Sequence, residues 1–345
     1  MDGVSILACI VRGVSAAALL AVMQLGMSPA EASETEWKMH VVWVATRPEA
    51  KEARAWADRV NARTKGKLKI AVHDGGSLGA KDADMLRILP SGSVIQATML
   101  YPGYVARDEP ELAFLLPEGV LGAPKDIVKL LPHMSAIYDR IFGRWEIKYL
   151  ATFLSPEHGL GVFCRSPVAS LEALRKVKLR VWNKALIETF GKLGVASSVI
   201  PQNDMYMAMQ TGVVDCALYS AGSANTLSLH EVAPHWSYLG VNVLPINLIV
   251  SQNSWKALPA DVQTVLQQEA SRMESELVQD FVRGEYSVAE DKKFQAAGGK
   301  RLADFPAVDQ RAFYAAARAV WDQTSKTLGD KALGNKVLLS NMLQD

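Results

Sequence analysis

Strand-like and helix-like patterns take turns along this chain, and that alternation narrows its architecture more than any other feature. "WKMHVVWVA", residues 37–45, alternates like a strand. A helical stretch follows from about Pro48, with Ala53, Trp56, Ala57 and Val60 along one face. "GKLKIAVHDGGSLG" (66–79) is a strand closed by a glycine-rich turn, and "SVIQATMLYPGYVA" (93–106) is a strand running into a loop. The second half repeats the style with "IKYLATFLS" (147–155), "LGVFCRS" (160–166) and "VVDCALY" as strands. Such alternation argues for an α/β fold. Residues 260–290 carry the longest helical pattern, without proline or an interior turn cluster. A helix of that length is expected to run across both halves of the molecule. No low-complexity tract or flexible linker interrupts the chain, so its halves must join through strands or short loops.

The first 32 residues read as a secretory signal. Arg12 is the only basic residue there, an apolar run "GVSAAALLAVMQLGM" follows, and Ala30 and Ala32 give the small-x-small pattern of a cleavage site. The run is short of the roughly 20 apolar residues a membrane span needs. A free exported protein starting near Ser33 is therefore expected, in the periplasm. About 310 residues remain, enough for two domains with cores of their own. A net charge of +1 with scattered basic residues gives no reason to expect nucleic acid. Beyond the signal the cysteines are Cys164 and Cys216. They fit either one bridge or two small buried residues, and the second reading is favoured here.

Motifs of catalysis are poor. In "HEVAPH" the histidines are five apart, about 140° around a helix, and Pro234 breaks that helix, so they do not share a metal. "GGSLGAK" (75–81) lacks the Lys-Ser/Thr end of a phosphate loop. No cofactor or metal is expected.

Binding chemistry has one clear candidate. In "KVKLRVWNKALIETFGKLGV" (176–195), Leu179 and Val181 point one way from a strand, and Arg180 and Trp182 the other. Asn183 is placed to cap the helix that follows. Arg180 is either an ordinary salt-bridge or surface arginine, or a clamp whose planar fork matches the two oxygens of a carboxylate. Pattern alone favours the first.

The neighbourhood shifts the balance. "VKLRVWN", then Gly194, then "DMYMAMQTGVVD" resembles the solute-binding proteins of tripartite ATP-independent periplasmic (TRAP) transporters. Arg180, Gly194, Tyr206, Ala208, Gln210, Thr211, Gly212, Val214 and Asp215 occupy the family's positions, and weaker matches extend over nearly the whole exported chain. The resemblance implies a two-lobed periplasmic binding protein of class II-like fold, with a cleft between lobes and a long helix spanning both. It implies lobe I from 33–157 plus about 246–280, and lobe II from 158–245 plus about 281–345. It also implies capture of an organic acid, Arg180 gripping the carboxylate beside a helix N-terminus and an indole face, and delivery to a TRAP-type permease. A ligand sensor docking on a receptor kinase is the alternative, with an exported hydrolase behind it.

Departures from the family concern the ligand. Leu160 stands where sialic-acid-type members carry a second arginine, and Arg165 is out of register. Leu218 replaces an acidic residue, Tyr219 follows it, and Trp182 replaces a proline. With one cation, a dicarboxylate would bury an unpaired charge. Trp43, Tyr101, Trp182 and Tyr219 offer flat apolar walls, and Asn183, Gln202, Asn242 and Asn247 are candidate polar contacts. The expected ligand is a monocarboxylate with an apolar or aromatic body. The competing expectation is that Arg47 or Arg165 enters the cleft and restores a dianion site.

Overall fold

The structure, a computed structural model, describes residues 35–342; the expected signal segment lies outside them. The strands are β1 (Thr35–His40), β2 (Leu68–His73), β3 (Ala97–Leu100), β4 (Ile147–Leu154), β5 (Gly159–Cys164), β6 (Leu179–Val181), β7 (Ser197–Val199), β8 (Cys216–Tyr219), β9 (His235–Val241), β10 (Pro245–Ser251) and β11 (Lys300–Arg301). They form two sheets, of order β2-β1-β3-β10-β4 and β11-β9-β5-β8-β6-β7. Each mixes parallel and antiparallel pairs: β1 lies parallel to β2 and β3, and β6 to β7 and β8. β10 runs antiparallel to β3 and β4, and β5 antiparallel to β8 and β9.

Helices cover both faces of each sheet, because strands buried on two sides need two apolar coats. Val60 of helix Pro48–Thr64 and Leu266 of helix Ala260–Arg283 pack with Met39, Ile246 and Leu248 on one face of the first sheet. Ile141 of helix Ile127–Arg144 packs with Leu100 and Ile249 on the other. In the second sheet, Leu179 and Val181 join Phe190 and Phe313 on one face, while Ala217 and Trp236 join Met209 and Phe294 on the other.

The chain passes between the two halves at short segments: residues 155–158 link β4 to β5, and 242–244 link β9 to β10. A third passage corrects the expected single helix over 260–290. Helix Ala260–Arg283 ends at Gly284, which sits at φ +68°, and a separate helix, Glu285–Ala296, leaves for the second half. Gly284 is the left-handed stop that ends helices. A Cβ at Gly284 would also lie 2.8 Å from the His158 ring. Gly284→Ala is expected to destabilise the protein by at least about 1–2 kcal/mol, the cost of a left-handed non-glycine residue. Urea unfolding measures it, and an unchanged midpoint would show that the passage tolerates another conformation.

The helix that touches both halves is Ala307–Leu328. Its Phe313 packs with Leu179 and Phe190 of the second half. Its Trp321 packs with Phe114 and donates from Nε1 to the Phe114 carbonyl at 2.8 Å in the first. The final helix, Asp330–Met342, returns Ala332 and Leu339 to the core beside helix Ile127–Arg144. The end of the segment expected in lobe II thus packs on the first half, because its apolar residues are drawn to that core.

Cys164 and Cys216 form a disulfide, correcting the expectation of two unlinked buried residues. They are directly opposed in the β5–β8 ladder with Cα atoms 4.1 Å apart. Opposed antiparallel residues stand close enough for a bridge, and sequence alone did not show that β5 and β8 are neighbours.

Candidate ligand-binding site

A small cavity of about 40 Å³ lies between the two halves. Its walls come from residues just past strand ends: Trp43 and Arg47 after β1, Tyr101 and Tyr104 after β3, Trp182 after β6, Gln202 after β7, and Ser220 and Ser223 after β8. Ligands of open α/β sheets collect at the carboxyl ends of strands for the same topological reason. Ser155, Asn242 and Leu244 belong to the crossing segments.

Arg180 is the buried cation of the second half, 1% exposed and in the middle of β6. Its Nε donates to the Ile200 carbonyl at 2.9 Å and its Nη1 to the Leu218 carbonyl at 3.4 Å. The guanidinium lies 5.8 Å from the Trp182 ring centre and 5.5 Å from that of Tyr219. Among the described residues no carboxylate comes within ion-pair distance of it. Burial lowers its pKa, and Arg47 adds repulsion. A buried cation held only by carbonyls and ring faces is poorly compensated.

The motif downstream of Arg180 acts as scaffold for this position. Gly212, at φ +75°, turns the chain out of helix Met205–Gln210. The Asp215 carboxylate accepts from the Lys178 amide at 2.9 Å, while the Asp215 and Cys216 amides donate to the Lys178 carbonyl. That knot sets β8 beside β6 and carries Tyr219 alongside Arg180.

Trp43, Tyr101, Trp182 and Tyr219 all line the cavity, as do Gln202 and Asn242. The Gln202 oxygen accepts from the Tyr219 hydroxyl at 2.8 Å, leaving its buried Nε2 without a partner among the described residues. Asn242 donates to the Glu157 carbonyl at 3.2 Å, and its Oδ1 is likewise unpartnered. One spare donor and one spare acceptor thus border the cavity. Asn183 and Asn247 do not line it. Asn247 is buried in β10, accepting from Thr152 at 2.6 Å. Asn183 caps its helix by accepting from the Leu186 amide at 2.9 Å. Lys184 and Ala185, the first turn of that helix, line a separate groove, so the helix N-terminus does not face the cavity.

Leu160 and Leu218 are buried in the second half's core, away from the cavity. Arg165 is exposed past the end of β5. Arg47 does reach the cavity, as the competing expectation held, but with its own counter-charge. Its Nε and Nη2 pair with the Glu49 carboxylate at 2.8 and 2.7 Å, and its Nη1 reaches the Tyr219 hydroxyl at 3.2 Å. Burial opposes the Arg47 charge, but Glu49, Tyr219 and Glu157 outweigh it and raise its pKa. Arg47, Tyr104, Ser155, Ser220, Ser223 and Leu244 carried no motif; their shared signal is position just beyond a strand.

One carboxylate clasps the halves together. Glu118, in the loop before helix Ile127–Arg144, accepts from Tyr101 of its own half at 2.5 Å. It also accepts from Trp182 Nε1 at 2.7 Å and Asn183 Nδ2 at 2.9 Å across the cleft. Hydrogen bonds to charged groups are worth about 1.5–3 kcal/mol. Glu118→Gln removes the charge and sets an amide donor against these donors. It is expected to favour open forms, read as a larger radius of gyration in solution scattering with unchanged circular dichroism. A radius equal to that of the wild type would show that the clasp does not hold the halves.

A pair of α/β lobes joined by short crossings, with a cavity between them and a buried cation in its wall, defines a solute-binding protein. A family model described as bacterial extracellular solute-binding protein, family 7, matches residues 39–327, and the chain belongs to that family. This is the TRAP solute-receptor family that the Arg180-to-Asp215 motif resembles. A solute-binding protein of Sulfitobacter sp. is 25% identical over 226 residues, covering 63% of this chain and 66% of that one. The C4-dicarboxylate-binding periplasmic protein DctP of Rhodobacter capsulatus is 24% identical over 311 residues, covering 85% of this chain and 87% of the relative. Among solved structures, an extracytoplasmic solute receptor of Bordetella pertussis that binds pyroglutamic acid superposes with a TM-score of 0.79. It is 18% identical and covers 90% of this chain and 100% of that one.

Proposed function

We propose that this protein is the periplasmic receptor of a TRAP transporter, capturing a compact organic acid with one carboxylate and delivering it to a membrane permease. The observation that carries the reading is Arg180, a buried guanidinium in the cavity wall without a carboxylate partner among the described residues. A bound carboxylate supplies the missing charge through a bidentate contact. Trp43, Tyr101, Trp182 and Tyr219 would enclose an apolar or aromatic body, while Gln202 and Asn242 would meet a carbonyl or hydroxyl with their spare donor and acceptor. Pyroglutamic acid, the ligand of the Bordetella receptor, has this character: one carboxyl group on a small lactam ring. The Rhodobacter capsulatus relative is named for C4-dicarboxylates, which carry two carboxyl groups.

Thermal-shift screening against an acid library tests the reading, since a ligand of the folded state alone raises the melting temperature. Small monocarboxylates with branched, cyclic or aromatic bodies are expected to give the largest shifts. Succinate or malate binding more tightly than phenyl- or branched-chain keto and hydroxy acids in direct competition would overturn the apolar-wall argument. A response to neutral solutes alone would overturn the carboxylate anchor.

A further inference from the structure

The cavity wall holds two arginines, yet their charges are not equally available. Arg47 and Arg180 flank the Tyr219 ring, at 5.9 and 5.5 Å from its centre. Arg180 has no carboxylate partner among the described residues. Arg47 gives its bidentate edge to Glu49, a carboxylate 1% exposed and further fixed by the Ser155 hydroxyl at 2.8 Å. Glu157 approaches the other side of Arg47 at 3.9 Å, with burial holding its carboxyl above the usual range.

We propose that Glu49 determines charge specificity: by occupying the fork of Arg47 it cancels the second cation and makes the receptor select acids with one ionised carboxylate over those with two. The proposal rests on Arg180 as the anchor and adds the reason why a second arginine in the same wall does not make a dianion site. A second ligand carboxylate would have to compete with a preformed, desolvated bidentate pair, or lie buried unpaired. Specificity of this kind works by penalising the wrong ligand rather than by adding contacts to the right one. Glu49→Gln has nearly the same shape and can still accept from Arg47, but it removes the charge held in the fork and leaves Arg47 only the more distant Glu157, at 3.9 Å.

The test compares succinate and glutarate with pyroglutamate and 2-oxoisovalerate by calorimetric titration of wild type, Glu49→Gln and the double variant Arg47→Gln/Glu49→Gln. In Glu49→Gln the preference for the dicarboxylates over the monocarboxylates is expected to rise at least tenfold over wild type. The double variant, again with one cation, is expected to lose that gain. No gain in Glu49→Gln, or an equal gain in the double variant, would overturn the proposal while leaving the Arg180 anchor standing. Should Glu49→Gln fail to fold, wild type decides: dicarboxylates bound more tightly than the monocarboxylates would overturn the role of Glu49. Binding of all these acids that survives loss of Arg180 unchanged would instead overturn the anchor on which it rests.

Discussion

Replacing Arg180 by lysine is expected to weaken binding of the ligand acid by roughly 2–5 kcal/mol, the range for truncating one partner of a buried hydrogen-bonded charge pair. That corresponds to a loss of about thirtyfold or more in affinity. Lysine retains the charge but loses the planar fork. Its shorter reach also gives up the contacts of Arg180 with the Ile200 and Leu218 carbonyls and its place between the Trp182 and Tyr219 rings. The fold should survive, because Leu179 and Val181 on the opposite face carry the packing of β6. Isothermal titration gives the affinity and circular dichroism the fold. Binding within a fewfold of wild type would remove Arg180 from the anchor role.

The largest effect on stability is expected at the disulfide. The bridge closes a loop spanning 52 residues between Cys164 and Cys216, which in the chain-entropy model is worth about 4 kcal/mol. The double substitution Cys164→Ala/Cys216→Ala should lower unfolding stability by about 2–4 kcal/mol. Adding a reductant to unfolding wild type should produce a similar loss. Ligand affinity should change little, since the β6–β8 junction is also held by the Asp215 and Lys178 contacts. A loss below about 1 kcal/mol, at the bottom of the range for native bridges, would mean the reduced chain is already constrained.

The sequence was most legible where chemistry is local. Period-two runs marked β1, β4 and β5, and the Asn183 cap was readable because capping needs only the next three residues. Alternation with Leu179 and Val181 put Arg180 on the opposite face, but the expectation of a clamp came from the resemblance of its neighbourhood to the TRAP receptors, not from the pattern. What escaped depended on distant neighbours. The Cys164–Cys216 bridge depends on β5 adjoining β8, and nothing in the local pattern marks Glu49 as the partner of Arg47. Glu118 sits in the unpatterned loop "LLPEGVLG", and only closure of the halves brings Trp182 and Asn183 to it. Asn247 is the opposite case: expected at the ligand as a polar residue in a strand, it lies within β10, where Thr152 of the neighbouring strand occupies its oxygen.

The most direct measurement is a crystal structure of the protein with the acid that gives the largest thermal shift. The expected result is a carboxylate within hydrogen-bonding distance of the Arg180 guanidinium, with the body of the ligand against Trp182 and Tyr219 and the Arg47–Glu49 pair intact. A carboxylate bound at Arg47 instead, with Arg180 still bonded only to the Ile200 and Leu218 carbonyls, would contradict the central claim.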